Sequence, residues 1–171
     1  MLKRIMLIAS LLFVGEAIAK SYFVEVTVNA VLDQNLLSIT NHTAMSFPEL
    51  TISEHTTEGA HCVANSHYNS NGFDGNPASN YNSLCPTLKG TYSRFNLSGH
   101  PYAYYYVSYS APEQVINGLQ YTVPDFTPTT VKLSSGGTAI YYIPGTVTLV
   151  DKSAVTSDII TFEYDFTAYY Q

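Results

Sequence analysis

The pattern of hydrophobic and polar positions is clearest at the end of the chain. Ile160, Phe162, Tyr164, Phe166, Ala168 and Tyr170 occupy alternate positions, with Thr161, Glu163, Asp165, Thr167 and Tyr169 between them. Successive side chains of an extended backbone point to opposite faces, so this period of two predicts a half-buried β-strand with the first six residues inward. The same period runs from residue 23: Val24, Val26, Val28 and Ala30 share one face, Glu25, Thr27 and Asn29 the other. Apolar positions recur at 36–39 and at Met45, Phe47, Leu50 and Ile52, where Pro48 marks an edge or an interruption. Phe95 and Leu97 then oppose Arg94 and Asn96. In 102–111, Ala103, Tyr105, Val107 and Tyr109 oppose Tyr102, Tyr104 and Tyr106. Aromatics on both faces predict a central strand, or one with a covered outer face. Leu119, Tyr121 and Val123 alternate up to Pro124, and short strands fit 130–133, 138–143 and 146–150. Helical periodicity is nearly absent. About eight or nine short strands separated by turn signals predict an all-β, antiparallel sandwich. A last strand this regular must be paired and covered, because frayed it would template aggregation.

Residues 54–90 have a different texture, rich in Asn, Ser, Gly and His and without a period. They read as a long loop insertion, and loops of that length are functional or mobile. Tyr68 and Tyr81 within it are placed to meet a partner such as a glycan; the plainer reading is a solvated insertion held by a staple. That staple would be Cys62–Cys85, the only two cysteines. One intramolecular bridge is the simplest outcome, worth about 3 kcal/mol on the chain-entropy model. The alternatives are an intermolecular bridge, or a metal site built from His61, Cys62 and His67, for which the repeated ligand spacing is missing.

Residues 1–19 read as a secretory signal: Lys3 and Arg4, then a ten-residue apolar run over 5–14, then Ala17-Ile18-Ala19 as a small-x-small cleavage site. The run is too short to span a bilayer. Cleavage after Ala19 leaves one domain, 20–171, with five basic and twelve acidic residues. Export to the periplasm, the cell surface or the medium would make the disulfide permissible. The acidic balance excludes nucleic acid and, once the signal is removed, an anionic membrane surface as partners, since both need clustered Lys and Arg. Only 12% of the residues are charged, while 46% are hydrophobic, which excludes a wholly disordered chain.

Candidate chemistry is sparse. No GxSxG, HExxH, phosphate loop or EF-hand loop is present. His42, His55, His61, His67 and His100 show no paired ligand spacing and read as solvated. Glu163 and Asp165 share a polar strand face, which is commonly just solvated. Asn41-His42-Thr43 and Asn96-Leu97-Ser98 match a glycosylation pattern that matters only in a eukaryotic secretory pathway. The chain therefore reads as non-enzymatic, with no cofactor and no metal. Fifteen tyrosines suit strands and interfaces alike.

Three pieces of sequence resemble a known family: the N-terminal strand with Phe47-Pro48-Glu49-Leu50; Arg94-Phe95-Asn96-Leu97-Ser98-Gly99 leading into Tyr104-Tyr105-Tyr106-Val107-Ser108-Tyr109; and Leu133-Ser134-Ser135-Gly136-Gly137 with Ile143-Pro144-Gly145-Thr146-Val147-Thr148-Leu149. Together they resemble the secreted bacterial domains called domain of unknown function 4402, which are similar to the immunoglobulin-like pilins of chaperone–usher systems. The chain departs from that pattern at Pro48, where the family usually has Gly, and in the 62–85 insertion. The resemblance implies a structural subunit of a fimbria-like surface fibre or extracellular matrix, assembling by β-strand addition. Its partners would be copies of itself, other fibre subunits or a periplasmic chaperone. Val24, Val26, Val28 and Ala30 have the spacing of a donated strand that would lie beside the C-terminal strand. The same alternation equally fits the first strand of the chain's own sandwich, and both readings stand. The alternative function is a closed monomer that binds a glycan or surface partner through the 62–85 loop.

Overall fold

Alternation of the kind seen at 160–168 buries one face of a strand, and in the computed structural model Ile160, Phe162, Tyr164, Phe166 and Ala168 are all buried. The structure describes residues 20–32, 37–64, 73–75, 83–85, 91, 93–124, 128–156 and 159–170. The predicted signal, 1–19, lies outside them. In chain order the strands are β1 (Lys20–Leu32), β2 (Leu37–Thr43), β3 (Met45–Ser46), β4 (Leu50–Ile52), β5 (His61–Ala64), β6 (Phe73–Gly75) and β7 (Ser93–Gly99). They continue with β8 (Tyr104–Ser110), β9 (Gln114–Ile116), β10 (Leu119–Thr122), β11 (Thr129–Lys132), β12 (Thr138–Ile143), β13 (Gly145–Leu149) and β14 (Ile159–Tyr170). No α-helix occurs among the described residues; a single 3-10 turn spans Lys152–Ala154, its first N–H groups capped by the Asp151 carboxylate.

The fold is an all-β sandwich. One layer is a six-stranded sheet ordered β11-β8-β14-β1-β3, with β4 also on β1. Facing it are a five-stranded sheet, β6-β5-β13-β10-β9, and a three-stranded sheet, β12-β7-β2. The chain passes between these two at Pro144: Ile143 still pairs with Ser93 of β7, whereas Gly145 pairs with Ala64 of β5. Proline has no N–H to offer a ladder, so it suits the point where a strand leaves one sheet for another. The strand count exceeds the expected eight or nine because several pairings are made by segments of two or three residues, too short to show a period.

Rings join the layers. Phe95 of β7 stacks on Phe166 of β14, with centroids 4.1 Å apart and planes 13° from parallel. Tyr121 of β10 stacks on Phe162 at 5.5 Å. Both pairs are fully buried, and such contacts add about 0.5–1.5 kcal/mol beyond area burial. The β9–β10 hairpin turns on Asn117-Gly118, both with positive φ (48° and 73°), the requirement of a two-residue turn that matches strand twist.

Two features depart from the sequence expectation. Residues 54–90 are not wholly a surface loop: β5 pairs with β13 and β6 pairs with β5, and Ala60, Cys62, Ala64, Leu84 and Cys85 join the core. The strand was hidden because its inward residues are Cys and Ala, too small to give a strong hydrophobic signal. The sandwich is also not wholly antiparallel. β1 and β14 run parallel over ten consecutive pairs, from Phe23–Ile159 to Leu32–Ala168, the only parallel ladder between strands among the described residues.

Candidate functional site: the seam between the terminal strands

The seam is built from the two most regular sequences in the chain. β1 lies between β14 and the short strands β3 and β4. On its inward face Tyr22, Val24 and Val26 are buried. Val28 is only partly buried and Ala30 is exposed, so burial fades along the four-residue face predicted for strand addition. β3 and β4 explain the gradient, since they pair with β1 only through Val26. Beyond that residue β1 forms no second ladder among the described residues. Phe47 N–H donates to the Val24 carbonyl at 3.0 Å, and Thr27 Oγ1 donates across the seam to the Phe162 carbonyl at 3.3 Å.

β14 depends on β1 for its first half. Against β8 it pairs only from Asp165 onward, whereas against β1 it pairs from Ile159. At Glu163 the missing partner on the β8 side is replaced by one side chain: Gln114 Nε2 donates to the Glu163 carbonyl at 2.5 Å, and Glu163 N–H donates to Gln114 Oε1 at 2.7 Å. This amide reproduces both bonds of a β-bridge. Phe23 and Ile159, paired in register on the outer face, are 56% and 67% exposed, an apolar pair at the open end of the seam.

Of the six residues that alternation places on the inner face of β14, Tyr170 differs. It is 48% exposed, because the strand ends there and runs past the core; its ring packs edge-on against Tyr105 at 5.6 Å. Tyr164, deep in the core, shares a short hydrogen bond with Ser93 Oγ. Burial pushes its hydroxyl up to about 12, partly offset by that bond. Burial likewise raises Tyr121 and Tyr141 above the usual tyrosine value.

The predicted loop residues divide. Cys62 and Cys85 are bridged, with Cα atoms 5.5 Å apart, and both are buried under the five-stranded sheet. With both sulfurs in the bridge, Cys62 is not free to bind metal beside His61. His67, Tyr68 and Tyr81 lie outside the described residues. His55 forms an exposed ion pair with Glu54 at 3.1 Å, His61 Nδ1 contacts the Gly59 carbonyl at 3.1 Å, and His100 Nδ1 contacts the Pro101 carbonyl at 3.0 Å. Among the described residues no three His, Cys, Asp or Glu side chains converge as a metal site. Glu163 and Asp165 are exposed on the outer face of β14.

Sequence reasoning missed Gln114 and the tyrosine cluster at the far end of β14. The Asn117-Gly118 pair two residues beyond Val115 was the available signal for the first, since it fixes the hairpin that carries Gln114. No family model matches the chain, and no curated protein matches it. The bridge is compatible with an oxidising, extracytoplasmic location, and among the described residues no helix is long and apolar enough to cross a membrane.

Proposed function

We propose that the chain is an exported, non-catalytic structural subunit of a surface fibre or matrix, one that assembles when β1 is donated to a neighbouring copy. The observation that supports this reading is the parallel ladder. The first strand completes the sheet beside the last, and a second copy can supply the same contacts with little change in geometry. Exchange of an identical element between protomers is a low-cost route to assembly. Burying Tyr22, Val24 and Val26 contributes roughly 1.5–3 kcal/mol each before ordering costs, and the ladder adds backbone hydrogen bonds. The resemblance to immunoglobulin-like pilin subunits is consistent with the same mode and with export through the predicted signal. Protein isolated from its native envelope should run as a ladder of oligomers that survives mild detergent and collapses on boiling. Deleting residues 22–31 should abolish the ladder. A single monomeric band from the intact protein would refute the reading.

One observation favours a second reading, a closed monomer that binds a surface partner: β1 pairs within its own chain. On that reading the partner would meet the 62–85 region, and a glycan array would lose signal when Tyr68 and Tyr81 are replaced by Ala.

A further inference from the structure

On the β11 side of the six-stranded sheet, the start of β8 and the end of β14 come together, with β11 alongside. Tyr102, Tyr104 and Tyr170 are 59%, 46% and 48% exposed there and line an open groove of about 790 Å³ together with His100 and Thr130. We propose that this groove binds a saccharide carrying a carboxylate, such as a uronic or sialic acid residue.

The rings supply the first half of the argument. An exposed tyrosine offers an apolar face and a polar tip. A pyranose offers apolar C–H faces ringed by hydroxyls, so three such tyrosines beside an imidazole and a threonine hydroxyl match its alternation of apolar and polar edges. Lys132 supplies the second half. Its ammonium stands 5.2 Å from the Tyr104 ring centroid and 5.8 Å from that of Tyr102, a position favoured by the ring quadrupoles. It forms no ion pair among the described residues, in a chain of net charge −6. A cation held against two of the rings that line the groove, without an ion-pair partner among the described residues, is complementary to an acid on a ligand seated on those rings.

The groove is also preorganised. Tyr102 has φ 60°, a left-handed conformation rare for a bulky residue, and this turns its ring out of the sheet. The turn is pinned to the 133–137 loop. Tyr102 N–H donates to the Ser134 carbonyl at 3.2 Å, Leu133 N–H to Ala103 at 2.9 Å, and Gly99 N–H to Gly137 at 2.8 Å. Gly137 itself has positive φ, and a Cβ there would lie 2.3 Å from the Gly99 carbonyl oxygen. Most of the groove is carried by β8, β11 and the turn before β8, which β14 separates from β1 in the sheet; only Tyr170 belongs to a strand that pairs with β1.

Calorimetry on the purified exported protein tests it, using sialyllactose against lactose and tetragalacturonate against its methyl ester. At least one acid should bind about tenfold or more tightly than its neutral counterpart, as expected for one charge-assisted contact. K132M should abolish that preference. Y102N should weaken binding by about tenfold or more while melting no lower than the parent, because asparagine tolerates the left-handed conformation. Equal binding of acid and neutral forms, no binding of any of the four, or affinity unchanged in both variants would overturn the proposal.

Discussion

The gradient of burial along β1 makes a quantitative prediction. Val26 is 1% exposed, with Phe162 and Met45 as its register partners on either side. Replacing it with Ala removes two methyl groups at about 0.8 kcal/mol each, and the cavity left behind adds to that loss, for a total of about 2–3 kcal/mol. Val24→Ala should cost the same, because Val24 is equally buried. Val28→Ala should cost about half as much, and Ala30→Ser close to nothing, since Val28 is partly covered and Ala30 faces solvent. Urea unfolding followed by far-UV circular dichroism reads the series: at a slope of roughly 2 kcal/mol per molar, Val26→Ala moves the midpoint by about 1 M. Equal costs at all four positions would refute the reasoning, because they would mean a strand buried along its whole length. So would a Val26→Ala loss below about 0.5 kcal/mol.

Three further outcomes follow from the core and the seam. Tyr164 holds its proton up to about pH 12 when folded, against about 10 when unfolded, so its contribution of roughly 2–3 kcal/mol is intact below pH 10 and lost as the pH rises through 12. Absorbance at 295 nm should therefore show tyrosines that ionise only together with alkaline unfolding; fifteen tyrosines titrating near pH 10 with the dichroism unchanged would contradict this. Replacing both Cys62 and Cys85 with Ala should cost about 3 kcal/mol by calorimetric or denaturant unfolding, as a bridge spanning 23 positions implies, and an unchanged midpoint would count against its structural role. Gln114→Ala removes both bonds to Glu163 and should lower stability by about 1–3 kcal/mol. Hydrogen exchange at the Glu163 amide should accelerate in that variant more than at Thr167, whose backbone groups face the same side and which keeps Ser108 of β8 as its register partner.

What the sequence made legible was set by side-chain size and by locality. β14 could be read because five large or apolar residues from Ile160 to Ala168 repeat without a break, and β1 because Val24 and Val26 do the same on a shorter scale. β5 could not, because Cys62 and Ala64 fill a tight core position with little apolar surface. Alternation also assigns faces without assigning neighbours: nothing in Val24-x-Val26 distinguishes a parallel partner from an antiparallel one, or this chain's β14 from that of another copy. The groove at the sheet's end was illegible for a related reason. Lys132 meets Tyr104, and Tyr170 meets Tyr105, only through pairings between strands about 30 and 65 residues apart. Alternation over 102–111 predicts Tyr102 in the strand, whereas a left-handed turn places it outside β8.

Exchange of β1 between copies is the claim that most needs a direct measurement, and the register provides it. Thr27 and Glu163 are paired across the seam, so one population carrying Thr27→Cys and another carrying Glu163→Cys can be mixed, assembled and oxidised. Exchange of β1 should give a disulfide-linked heterodimer joining the two populations, absent when either is oxidised alone. A mixture that yields no such dimer, while a chain carrying both cysteines closes its bridge within itself, would contradict it.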